Sequence, residues 1–171
     1  PAFEPPAKPD ADKPVSISRR NFIALCHRLT VDDEKAFEDL FRRLAAEVPD
    51  LHRLRYTSPH PRHATESLCA AHAELPVLCR HVHLPVQSGS DRVLAAMHRG
   101  YTAERYLEKL AAARAAIPDL AVTTDLIVGF PGETDDDFEQ TLQLAAAAEY
   151  DSAYTFIYSP RPGTEAAEMV D

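Results

Sequence analysis

The sequence predicts an α/β fold in which about four parallel strands alternate with helices. Three observations carry this. Apolar bursts of strand length, such as Leu126 to Val128, alternate with stretches of helical periodicity. The strand-like stretches run into turns rich in Gly, Pro, Ser and Thr, and helix caps follow several of them. With 171 residues, 45% hydrophobic and 26% charged, the chain is long and apolar enough to bury a core of this kind. With every crossover of the same hand, the strands form an open sheet or an arc of a barrel.

The elements follow in order. Residues 1–29 read as a first part, a Pro-rich arm with Pro1, Pro5, Pro6, Pro9 and Pro14, then an irregular segment reaching Leu29. The α/β part runs over residues 30–171. Thr30 looks like a cap, and Phe37, Leu40, Phe41, Leu44, Ala45 and Val48 fall at helical spacing before Pro49. Leu51 to Tyr56 has the length of a strand, closed by Thr57-Ser58-Pro59-His60-Pro61, and a short helix from Thr65 to Glu74 is halted by Pro76. His81 to Val86 is the next strand. Gln87-Ser88-Gly89-Ser90 leads from it into a helix carrying Val93, Leu94 and Met97, which Gly100 ends. Thr102 caps a helix that buries Tyr106, Leu107, Leu110, Ala113 and Ile117. Leu120 to Val128 is a strand, and its apolar burst Leu126 to Val128 is suited to burial on both faces. Gly129, Pro131 and Gly132 then break the chain, and Thr134 caps a helix to Glu149. Asp135, Asp136 and Asp137 fill its first turn, where the helix dipole favours negative charge. Phe138, Leu142 and Ala145 make its apolar face. Asp151 to Tyr158 is the last strand.

Composition narrows the function classes. A net charge of −9 argues against an electrostatic grip on nucleic acid over the whole surface, and leaves room for a small basic patch. No apolar run reaches membrane-spanning length, and no signal-peptide pattern is visible, so no membrane partner and a cytoplasmic location are expected. Cys26, Cys69 and Cys79 are odd in number and scattered, which suggests neither a disulfide framework nor a metal knuckle. His81 and His83 point to one face of their strand and lie near His60 and His63 in sequence. No acidic or thiol partner stands at ligand spacing, so no metal site is assigned.

In a parallel sheet the strand ends share one edge. The loops Thr57 to His60, Gln87 to Ser90 and Gly129 to Glu133 therefore converge, and helix-start N–H groups with the Ser88 and Ser90 hydroxyls suit a carboxylate, a phosphate or ribose. Each loop alone also reads as an ordinary cap or turn. Three on one edge favour a pocket.

Five blocks in this order resemble the radical S-adenosylmethionine methylthiotransferases, most of all the tRNA branch. They are Arg55 to Pro61, His83 to Leu94, Met97 to Thr102, Thr124 to Thr134 and Tyr158 to Thr164, within a span from about Leu51 to Met169. The resemblance implies a partial (β/α) barrel and an enzyme that adds a methylthio group at C2 of an isopentenylated adenosine beside the tRNA anticodon. It implies S-adenosyl-L-methionine and two [4Fe–4S] clusters as cofactors, and tRNA as partner. By resemblance, Gln87, Ser88, Gly89, Ser90, Gly129, Phe130, Pro131, Gly132 and Glu133 are carried over as cofactor-pocket residues, with Thr124, Asp125 and Tyr158 to Arg161 beside them. The family's Cys-x-x-x-Cys-x-x-Cys loop does not occur in the sequence, so no catalytic residue or cluster ligand is carried over.

A fragment or trimmed product is the expectation, lacking the cluster-binding and RNA-binding portions and inactive alone. Two alternatives stand beside it: a related enzyme acting on another tRNA adenosine or a ribosomal protein, and a non-catalytic binding module built on half a barrel. A cut barrel leaves a raw strand edge, so self-association is also expected.

Overall fold

The computed structural model describes residues 36, 38–56, 60–61 and 66–169. The chain divides into two compact units, Pro1–Pro49 and Asp50–Asp171. In the first, residues 38–47 form helix α1, the helix predicted ahead of Pro49, with Arg43 bonded to Glu47 one turn on at 3.4 Å. The Pro-rich arm, the segment up to Leu29, the Thr30 cap and the boundary after residue 29 lie outside the described residues.

The second unit runs α2 (Glu66–Glu74), β1 (His81–His83), α3 (Asp91–Ala96), α4 (Ala103–Ala116), β2 (Ala121–Val128), α5 (Asp135–Ala148), β3 (Ser152–Ile157) and α6 (Glu165–Glu168). Its sheet has three strands in the order β1-β2-β3, parallel throughout. Three strands, not four, are present among the described residues. The segment predicted as a strand, Leu51 to Tyr56, makes one isolated parallel bridge, Leu54 with Leu78. His52, Arg53 and Arg55 around it are exposed. Without an apolar alternation there is no buried face to hold a longer ladder in register.

β1 is also shorter than predicted, and the cause is local. Between the His83–Thr123 pair and the Gln87–Leu126 bridge the register shifts by one residue. The extra residue is a bulge at Pro85-Val86, where Pro85 has no N–H to give to a ladder. Thr124, wholly buried, repairs the gap: its hydroxyl donates to Leu84 O (2.9 Å) and accepts from Val86 N–H (3.0 Å). Past the bulge, Gln87 N–H donates to Asp125 O (2.9 Å), and Ile127 N–H to Gln87 O (2.8 Å).

The core lies between one face of the sheet and α4 and α5. Val82, Leu84, Val122 and Leu126 meet Tyr106, Leu110 and Ala113 of α4, with Leu144 and Ala148 of α5. Each large side chain so buried contributes on the order of 1.5–3 kcal/mol relative to exposure. The Tyr106 hydroxyl is not wasted there, since it donates to Leu84 O (2.8 Å) and accepts from Tyr150 (2.9 Å). Burial pushes the Tyr106 phenol far above its ordinary range and that of Tyr150 up to about 12.

Two predicted faces are corrected. On α5 the buried residues are Asp137, Thr141, Leu144 and Ala148, while Phe138 (42% exposed) and Leu142 (48%) face outward. On β2 only alternate residues are buried, so Ile127 and Val128 are half-exposed rather than covered on both sides. β3 is exposed along its whole length.

Candidate functional site

A cleft of about 920 Å³ opens at the carboxyl ends of the strands, where parallel α/β sheets place their ligands. Gln87, Asp125, Ile127, Phe130, Phe156 and Tyr158 line it. Gln87 and Phe130 are buried, Tyr158 half-buried, and Phe130 meets the Tyr158 ring edge-on at 5.1 Å. Gln87 sits at φ 75°, a left-handed backbone that costs a non-glycine residue about 1–3 kcal/mol. The bulge before it imposes that geometry. A second hollow, about 1090 Å³, lies beside the start of β1 and is lined by His52, Arg55 and Arg80 among others, with none of the candidate residues.

The candidate residues divide into three groups. Gln87, Asp125 and Phe130 reach the cleft, as do Tyr158, Ser159 and Arg161 from the last block. Ser88, Gly89 and Ser90 do not line it. They are buried against α5, where Ser88 Oγ lies 3.3 Å from Thr141 Oγ1 and Gly89 N–H donates to that same oxygen at 2.9 Å. Ser90 caps α3 and donates to Asp137 Oδ1 (2.5 Å). Thr124 is spent in the bulge. Gly129, Pro131, Gly132 and Glu133 form a loop that closes on itself. Glu133 Oε2 accepts from the N–H groups of Gly129 (2.5 Å) and Phe130 (3.3 Å), so those donors are engaged within the loop. Gly129 has φ 72° with open space around it, so glycine is there for the backbone angle. Of the loop that begins at Thr57, residues 57–59 lie outside the described residues.

Asp137 joins the loops behind the cleft. It is 3% exposed and accepts from Ser90, from the Thr134 N–H (2.9 Å) and hydroxyl (2.6 Å), and from the Arg92 guanidinium. Arg92 also donates to Gly132 O (2.6 Å), which ties the β2–α5 loop to α3. Arg92 first, then Ser90 and Thr134, hold the Asp137 carboxyl well below the usual carboxylate range. A depressed folded pKa stabilises the fold fully above the unfolded value of about 3.9, and that stabilisation is lost as pH falls through the folded value. Asp137→Asn is therefore expected to lower thermal stability at neutral pH, with the gap to the parent narrowing as melts are taken into acid. A gap that stays constant with pH would refute this role.

Sequence reasoning missed Ile127 and Phe156, which reach the cleft because their strands are half-open, and Arg99, whose Nε is buried without a partner among the described residues. Periodicity marks Ile127 and Phe156 as core. Only the missing cover on β3 turns them into lining.

A sequence profile described as the Radical SAM superfamily matches residues 27–145. The chain belongs to the radical SAM superfamily. It is 58% identical over 139 residues to a protein of Sorangium cellulosum (strain So ce56) named tRNA-2-methylthio-N(6)-dimethylallyladenosine synthase, covering 81% of this chain and 28% of that one. Proteins of the same name from Saccharopolyspora erythraea and Pseudomonas fluorescens (strain Pf0-1) are 55% and 54% identical, over 80% and 75% of this chain. Those alignments cover 28% and 29% of the relatives, so the chain spans little more than a quarter of the length of the curated relatives it matches. No helix among the described residues is long and apolar enough to cross a membrane.

Radical SAM proteins, as the resemblance implied, use S-adenosylmethionine with iron–sulfur clusters. The described residues do not fit a cluster. Cys69 lies in α2 and Cys79 just before β1, burial pushes the Cys69 thiol up rather than toward thiolate, and no group of His, Cys, Asp and Glu among the described residues is arranged to hold a metal.

Proposed function

We propose that this chain is part of the barrel of a radical SAM tRNA methylthiotransferase, a protein that places a methylthio group at C2 of an N6-isopentenylated adenosine in tRNA. The observation that carries the reading is its identity of more than half, over most of its length, to relatives named for that product. The cleft supports it, because two of the resembling loops, at Gln87 and Phe130, open on one edge of the sheet. In this reading S-adenosylmethionine supplies the methyl group, and Phe130, Tyr158 and Arg161 are proposed to hold it. The chain's own part is binding and orientation. The Arg92–Asp137 tie fixes the β2–α5 loop, Thr124 fixes the bulge that presents Gln87, and no cluster ligand is assigned among the described residues.

The test is nucleoside analysis of tRNA from a strain lacking the gene. Loss of the 2-methylthio group, with the isopentenyladenosine precursor accumulating, is the expected result. Unchanged modification would overturn the reading.

A further inference from the structure

One edge of the cleft carries groups that loop closure and the core do not use. Gln87 is only 7% exposed, yet its carboxamide has no hydrogen-bond partner among the described residues, and the residue lines the cleft. Next to it on β2 stands Asp125, with Oδ1 lying 3.3 Å from His83 Nε2. The two lie at ion-pair distance, without the alignment of a hydrogen bond. His83 Nδ1 lies 2.8 Å from Thr123 Oγ1, and His81 Nε2 lies 3.1 Å from the same oxygen. This row runs beside Asp125 along the open face of the sheet, and Oδ2 has no hydrogen-bond donor or cation against it among the described residues. On β3, Phe156 pairs in register with Ile127 and is 52% exposed to the same cleft.

An open carboxamide, a carboxylate and an exposed ring together suit an aminopurine. The ring offers a stacking face, the amide pairs a donor and an acceptor with the base edge, and the carboxylate accepts from an exocyclic amine. The strained backbone of Gln87 accords with this, since such strain concentrates at ligand clamps. We propose that Gln87 and Asp125 read the amine-bearing edge of an adenine base in single-stranded RNA, stacked on Phe156. The proposal rests on the RNA-modifying reading above, whose isopentenylated substrate keeps one N–H on that amine for Asp125 to accept. A 6-oxo base such as hypoxanthine puts a carbonyl where adenine puts its amine, so Asp125 would face a second acceptor and reject it.

The experiment titrates the 171-residue chain with two short, end-labelled RNAs that differ only in a central adenosine or inosine, read by fluorescence anisotropy. The adenosine RNA is expected to bind about tenfold more tightly. Asp125→Asn and Gln87→Met, both close in size to the parent residues, should each bring the two affinities together, with circular dichroism checking the fold. Phe156→Ala should weaken both RNAs alike. Equal affinity of the parent for both RNAs, or no binding of either, overturns the proposal. An excess of S-adenosylhomocysteine is expected to leave the RNA titration unchanged. Competition by it, itself lost in Asp125→Asn, would assign the pair to the cofactor's adenine and overturn the RNA assignment. The two readings fail separately. Loss of tRNA methylthiolation in the deletion strain without base discrimination by the chain sinks this inference alone, and retained methylthiolation sinks the functional reading whatever the titration gives.

Discussion

Anaerobic reconstitution of the 171-residue chain with iron and sulfide is expected to yield no [4Fe–4S] cluster. The effect is all or none, because a cluster needs several thiolates brought to one point. The sequence holds three cysteines, and none of them share a Cys-x-x-x-Cys-x-x-Cys spacing. Where the described two sit explains why folding does not repair that. Cys69 is in the middle of α2, its thiol pushed up by burial and by the nearby Glu66, the reverse of what a ligand thiolate requires. Cys79 is held at the entry to β1, with its N–H donating to Leu54 O at 3.0 Å. Iron and sulfide in stoichiometric amounts, with a broad visible absorption band that survives gel filtration, would refute the expectation. It would also mean that thiols scattered in the sequence are brought to one point.

The parts of the fold that were legible in the sequence are those set by neighbours in the chain. Thr102 and Thr134 cap their helices as predicted, each accepting from the N–H three residues on, because a cap bonds its own first turn. The buried stripe Tyr106, Leu110, Ala113 and Ile117 was likewise readable from periodicity. What escaped depends on partners distant in sequence. α5 hides Asp137 and Thr141 rather than Phe138 and Leu142 because Ser90, Gly89 and Arg92 come to meet them, and hydrophobic periodicity has no term for a polar residue with a polar partner. The site divided along the same line. Its loops could be located from the turn residues, and Gln87, Asp125 and Phe130 do reach the cleft. Ser90 caps α3, in line with the ordinary-cap reading of its loop, and the hydroxyls of Ser88 and Ser90 are used in packing rather than left open to the pocket, which only the approach of α5 reveals. The bulge at Pro85-Val86 escaped for a further reason: a proline within a strand signals a broken ladder, but not which buried hydroxyl will mend it.

Gly89→Ala is expected to be the most damaging single-methyl change in the described chain. A Cβ built on Gly89 would lie 2.4 Å from Gln140 O, 2.6 Å from Thr141 Cα and 2.8 Å from Gln140 C, all of them backbone atoms of α5. No rotamer change can relieve such contacts, so either the helix or the loop must move. α5 is pinned at its start by the Thr134–Asp137 capping box and further along by Leu144 and Ala148 in the core. The loop is pinned by the Gly89 N–H bond to Thr141 and by the Ser90 cap on α3. Overpacking ordinarily costs about 1–3 kcal/mol, and a backbone partner places this site at or beyond the top of that range. Against a total stability of about 5–15 kcal/mol, that is a fall in Tm of roughly 10 °C for a chain of this size. Trimming nearby side chains separates this cause from crowding in general. Gln140→Ala combined with Gly89→Ala should recover nothing, because the obstructing atoms are main-chain. A Tm within about 2 °C of the parent, or full recovery in the double variant, would show that α5 yields. If it holds, a push on Gly89 must also shift Gln87, two residues away and already strained. The variant, where still folded, is then expected to lose its preference for the adenosine RNA along with its stability.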